Sequence, residues 1–229
     1  MAGFIRSLLP SLTPLSFRTA RPVLAAILAA LLVLPGPAVR LSAAEPVRIL
    51  AFGDSLTAGY GLAETDTLTT QLADALTKMG RPATVINGGV SGDTSADGLA
   101  RLDWALADKP QVMILALGAN DMLRGLDPST TRANLEGIIA KAQAAGVEIL
   151  LAGMLAPPNL GPDYKSAFDA IYPGLAKAHS LILMPFLLQD VAQDSDLNQA
   201  DGLHPNGKGV AVIVRNLLPY LTQAMDRAS

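Results

Sequence analysis

Cysteine is absent from this 229-residue chain. That excludes a thiol nucleophile, a CxxC redox pair and a Cys-ligated zinc centre. Aromatic residues make up only 4%, with Trp104 the one tryptophan, so flat platforms for stacking against sugars are few. Histidine occurs at two positions, 179 and 204, which limits the imidazoles available as bases. Basic charge is scarce as well: residues 1–44 hold four of the 17 Lys+Arg and none of the 20 Asp+Glu. The rest of the chain carries 13 basic against 20 acidic residues, a net charge of −7. No basic stripe remains to neutralise a phosphate backbone, so nucleic acid is not an expected partner.

Long apolar runs are also missing, apart from VLAAILAALLVL at Val23 to Leu34. Arg6, Arg18 and Arg21 precede it, and small residues follow at Ser42 to Ala44. A basic segment, a short apolar core and a small-residue end describe a secretory signal peptide, and twelve apolar residues are too few to span a bilayer comfortably. Residues 1–44 are therefore expected to be a signal, with cleavage after Ala44; an uncleaved anchor is the alternative. A periplasmic or secreted location follows in either case, with no stable membrane span once the signal is removed.

Half of the residues are apolar, enough for one sizeable core without disulfide staples. From residue 45 onward, short apolar runs alternate with helical patterns, predicting βαβ units and a parallel sheet. The strand candidates are Val47 to Phe52, Ala83 to Ile86, Val112 to Leu117, Glu148 to Gly153 and Leu181 to Met184. Helices are predicted over Leu68 to Met79, Ala96 to Ala107, Thr131 to Ala145, Lys165 to Ala178 and Pro205 to Met225. No repeat or linker divides residues 45–229, so one α/β domain is expected there.

In an open parallel sheet, a site forms beyond the carboxyl ends of the strands. Three polar clusters fall at such ends: GDSLT after the first strand, NGGVSGDTS after the second and GAND after the third. A fourth, DGLHP, precedes the last helix. Ser55 follows a strand directly, unlike Ser91 and Ser95, and is the candidate nucleophile. A serine hydroxyl needs a neighbouring base. His204 can serve, because Asp201 three residues earlier could fix its tautomer, whereas His179 closes a helix where a cation is commonplace. Candidate oxyanion donors are the Ser55 and Gly92 backbone N–H groups and the Asn120 amide. Asp54, Asp93 and Asp121 sit on separate loops without metal-ligand spacing and read as turn formers or helix caps; no metal is expected. There is neither a G-x-S-x-G elbow nor a Walker-type phosphate loop.

Taken in chain order, GDS (53–55), SGDTS (91–95), GAND (118–121) and DGLHP (201–205) resemble the four blocks of the SGNH (GDSL-type) hydrolases. The resemblance covers essentially all of residues 45–229 and implies a five-stranded parallel sheet between helices, with no cofactor. It also implies Ser55, Asp201 and His204 as the catalytic triad and Ser55, Gly92 and Asn120 as the oxyanion hole. Within the family, SGDTS, FDAIYPGLAK and MPFLL look most like the bacterial multifunctional enzymes with thioesterase, arylesterase and lysophospholipase activity. The expected substrate is then a small-molecule ester or lipid. Its apolar walls are assigned to the loops after the third and fourth strands: Met122, Leu123, Arg124, Gly125 and Leu126, and Leu155, Ala156 and Pro157. A polysaccharide O-acetyl esterase and a catalytically silent periplasmic binding module are the alternatives. Oligomeric state is not legible in the sequence.

Overall fold

Alternation along three apolar strands sets the architecture. The computed structural model describes residues 46–229, and the expected signal segment lies outside them. Strands β1 (Val47–Gly53), β3 (Val112–Ala116) and β4 (Glu148–Ala152) are buried along most of their length. Leu50, Phe52, Met113, Leu115, Ile149 and Leu151 face one apolar cluster, while Ile49, Val112, Ile114, Leu150 and Ala152 face a second. A strand buried on both faces needs cover on both, which makes three layers. With β2 (Ala83–Gly89) and β5 (Ile182–Met184), the sheet is parallel throughout, in the order β2-β1-β3-β4-β5.

Helices α2 (Leu68–Lys78) and α8 (Gly207–Arg227) cover one face, burying Leu72, Leu76, Ile213, Leu217 and Leu221. Helices α3 (Ser95–Leu106), α5 (Pro128–Ala144), α6 (Pro162–Asp169) and α7 (Ile171–His179) cover the other with Leu102, Leu135, Ile138, Phe168 and Tyr172. Two short helices, α1 (Ser55–Ala58) and α4 (Ala119–Leu123), open the loops after β1 and β3. Both are too short to show a 3.6-residue period and fall within segments expected to be polar loops.

Beyond shifts of one to three residues at other element ends, three departures from expectation bear on the fold. Strand β2 continues through Asn87, Gly88 and Gly89, which pair with Ala51, Phe52 and Gly53 rather than joining the loop. The expected helix from Lys165 to Ala178 is two helices, because Pro173 has no N–H to offer the Asp169 carbonyl one turn earlier. Pro205 lies ahead of the last helix instead of within its first turn. Asn206 is the N-cap, accepting from Lys208 and Gly209 N–H at 2.9 and 3.1 Å, and Pro205 forms an antiparallel bridge with Asn198. No helix among the described residues is long and apolar enough to cross a membrane.

Candidate active site

Strand β1 leads on to β2 on one side and its neighbour β3 leads on to β4 on the other, so the connections leaving the carboxyl ends of β1 and β3 diverge and open a crevice at that edge. Asp54 caps α1 by accepting from Leu56 N–H at 3.0 Å, and this puts Ser55 at the helix's first position. A first-turn N–H has no intrahelical acceptor, so that of Ser55 is free to face the crevice. The hydroxyl of Ser55 lies 3.0 Å from His204 Nε2, across 149 positions of sequence. His204 Nδ1 is 2.7 Å from Asp201 Oδ2.

A hairpin-like loop carries the last two residues. Gln199 N–H donates to His204 O at 2.7 Å and Asn206 N–H to Leu197 O at 2.9 Å. The other carboxylate oxygen of Asp201 accepts from His204 and Leu203 N–H at 3.0 and 2.9 Å. Those backbone donors, with the imidazole, hold Asp201 down at about 2, so it is an anion at neutral pH. His179, by contrast, ends α7 beside Glu136, with Nε2 and Oε1 3.1 Å apart.

Gly92 occupies a turn closed by Asp93 N–H donating to Val90 O at 3.2 Å, and its φ of +88° is one that L side chains rarely adopt. Asn120 Nδ2 donates to Asp93 O at 2.9 Å, tying its amide to the same turn, and reaches Asp54 Oδ2 at 3.3 Å. Arg101 pairs with Asp93 at 2.6 Å and donates to Gly53 O at 2.9 Å, linking the turn to the end of β1. Asp121, expected to be a turn former or cap, is instead a buried acceptor for Ser95 N–H (2.7 Å), Ser95 Oγ (2.5 Å) and Thr131 Oγ1 (3.2 Å). Ser95 is thus buried and committed. Asp54 is 1% exposed, and burial pushes its carboxyl up to about 6, against the opposing pull of Leu56 N–H and of charge on His204.

Beside the Ser55–His204 pair lies a cleft of about 140 Å³. Met122 and Leu123 line it, joined by Leu56, Met154, Leu188 and Leu203, which lie outside the expected walls. The other expected wall residues are elsewhere. Arg124 donates to Gly92 O at 2.7 Å, and the Leu126 carbonyl accepts from Tyr164. Ala156 is buried, with its N–H bound to Asp169 and its carbonyl to Lys165. Gly125, Leu155 and Pro157 are not among the lining residues either. Strand-end position was too coarse a guide, because only side chains on the crevice side of each loop reach the cleft. A larger groove of about 480 Å³, near Phe186, Arg215 and Tyr220, shares no residue with the cleft and holds no serine or histidine. Reactive geometry rather than volume therefore marks the site. Among the described residues, no group of three His, Asp or Glu side chains could hold a metal ion.

Residues 51–212 match the model of the GDSL-like lipase/acylhydrolase family. This chain belongs to that family. Esterase TesA of Pseudomonas aeruginosa is 39% identical over 174 residues, covering 76% of this chain and 87% of the relative. Thioesterase 1/protease 1/lysophospholipase L1 of Escherichia coli is 40% identical over 168 residues, covering 73% and 78%. The crystal structure of AlinE4, an SGNH-hydrolase family esterase, superposes with a TM-score of 0.67 at 47% identity, covering 79% of this chain and 97% of that one. This GDSL-like hydrolase is an enzyme that acts on ester bonds.

Proposed function

We propose that this chain is an exported serine esterase that hydrolyses acyl or aryl carboxylic esters through an acyl-enzyme on Ser55. One observation carries the reading: the unbroken line from Asp201 through His204 to the Ser55 hydroxyl, at 2.7 and 3.0 Å. Ser55 Oγ attacks the carbonyl carbon while its proton passes to His204 Nε2, and Asp201 steadies the imidazolium at Nδ1. The oxyanion takes hydrogen bonds from Ser55 N–H, Gly92 N–H and Asn120 Nδ2. The Asn120 hydrogen available for this is the one in the longer contact to Asp54, since the other is held by Asp93 O. Collapse of the tetrahedral adduct expels the alcohol, which takes the proton from His204. Water, deprotonated by the same imidazole, then opens the acyl-enzyme and releases the acid.

Apolar walls from Leu56, Met122, Leu123, Met154, Leu188 and Leu203 suit an acyl or aryl group better than a sugar. Lysophospholipids and thioesters are included in the proposed range because relatives carry those names. Export rests on the basic and apolar character of residues 1–44. Treatment with an organophosphate, followed by peptide mapping, tests the reading. Covalent label on Ser55 is expected; a folded protein that hydrolyses no ester and takes no label would point to a binding module.

A further inference from the structure

Tyr60 has no part in the chemistry so far, yet its ring lies against the imidazole of His204, with centroids 4.6 Å apart and planes inclined by 37°. Its backbone is tied to the histidine loop by one residue. Gln199 Nε2 donates to Tyr60 O at 2.8 Å and to Pro205 O at 3.0 Å, and Gln199 N–H donates to His204 O at 2.7 Å. Next to Tyr60, a Cβ on Gly61 would stand 2.3 Å from Gln199 Oε1, so the bare backbone there is what lets the clasp close. The clasp joins the segment after α1 to the hairpin-like loop before α8, 139 positions apart.

We propose that Tyr60 is a positioning partner of His204, its ring face supporting the imidazolium that forms when Ser55 gives up its proton. This inference rests on the serine-esterase reading. Both edges of the imidazole are used, Nδ1 by Asp201 and Nε2 by Ser55. A ring face is the remaining surface on which a neighbour can act, and an aromatic quadrupole attracts a cation within about 6 Å of its centroid. The charged groups around the histidine are Asp201 at Nδ1 and the buried Asp54; Asp93, next to Asp54, is paired with Arg101. Tyr60 adds attraction for the cation without adding another anion beside a developing oxyanion. At 53% exposure, its ring can be changed without opening the core.

The test is the pH profile of kcat/KM for p-nitrophenyl butyrate, measured for wild type, Tyr60→Phe and Tyr60→Leu, with Tm recorded for each. Tyr60→Phe is expected to match wild type, because the ring makes the contact. Tyr60→Leu fills space without a quadrupole, and its plateau is expected to fall about 3- to 10-fold with Tm unchanged. Its acidic limb moves to lower pH by about half a unit, since losing support for the protonated imidazole leaves the neutral, active form populated further into acid. A Tyr60→Leu plateau that falls while the limb stays in place overturns the proposal in favour of simple packing. Equal impairment of Tyr60→Phe overturns it in favour of the hydroxyl. Wild type that turns over ester and labels on Ser55, with Tyr60→Leu indistinguishable from it, removes Tyr60 alone; failure of wild type to label removes the esterase reading and this inference together.

Discussion

Asp54 and Asp201 lie near the same serine and histidine, in opposite surroundings. Asp54 is buried next to Ser55 and pushed up to about 6, whereas Asp201 sits on an exposed loop, at about 2, and accepts two backbone N–H bonds as well as the imidazole. The difference extends to the regions that hold them. On the nucleophile side, Asp54, Asn120, Asp121 and Ser95 form a largely buried web whose hydrogen bonds fix the loops after β1, β2 and β3 relative to one another. On the base side, a surface loop holds its carboxylate ionised by local backbone donors. A buried carboxylate needs partners to offset lost hydration, while an exposed one needs only orientation. Fixed packing thus belongs to the buried web around Asp54, and fixed charge to the exposed loop of Asp201.

The sharpest way to break that contrast is Asp201→Asn. With the tautomer-fixing anion gone, kcat for a p-nitrophenyl ester is expected to fall by roughly 10⁴-fold with the circular dichroism unchanged. A loss below tenfold would mean that Asp201 does not serve the imidazole. Asn120→Ala probes the other side, and stopped-flow or steady-state kinetics should record a kcat lower by about 10²- to 10³-fold with little change in KM. A change confined to KM would make Asn120 a binding residue.

Denaturant unfolding of wild type and Asp54→Asn between pH 4 and 8 sharpens the electrostatic half. With Asp54 raised in the folded state, the native protein binds the extra proton. Its contribution to stability is therefore full below the ordinary value of 3.8 and lost as pH rises through about 6. Asparagine has no such loss, so the variant should gain on wild type across that window by up to roughly 3 kcal/mol; parallel curves would contradict a buried, raised carboxyl. Asp201 works in the opposite sense, contributing above the ordinary carboxylate range and losing that contribution as pH falls through about 2. The smallest expected effect is that of Ser95→Ala. Leaving Asp121 and Asn134 short of a partner costs about 1–3 kcal/mol in unfolding experiments, while kcat of the folded enzyme stays within about twofold. Loss of activity out of proportion to stability would reopen the choice between the two serines.

Strand alternation, the four polar blocks and the residue types within them could be read from the chain directly, because each depends on neighbours only a few positions apart. The Asp201-x-x-His204 pair belongs to this local class, as its hydrogen bonds span three residues. The Asp121 contacts were not legible, since Ser95 lies 26 positions away and nothing nearby marks one loop aspartate as buried and another as a cap. The cleft walls were equally hidden. Met154, Leu188 and Leu203 come from three separate loops, and side-chain direction within an irregular loop has no period to read.

By itself, then, the sequence determined an α/β sheet with a serine, two oxyanion-type groups and an Asp–His pair in separate loops. Only the tertiary structure decided that Ser55 faces His204, that Ser95 is spent on Asp121 and that Tyr60 covers the imidazole. Propensity and turn chemistry act over a few residues, whereas a contact across 149 positions exists only once the strand order has brought two distant loops to one edge of the sheet.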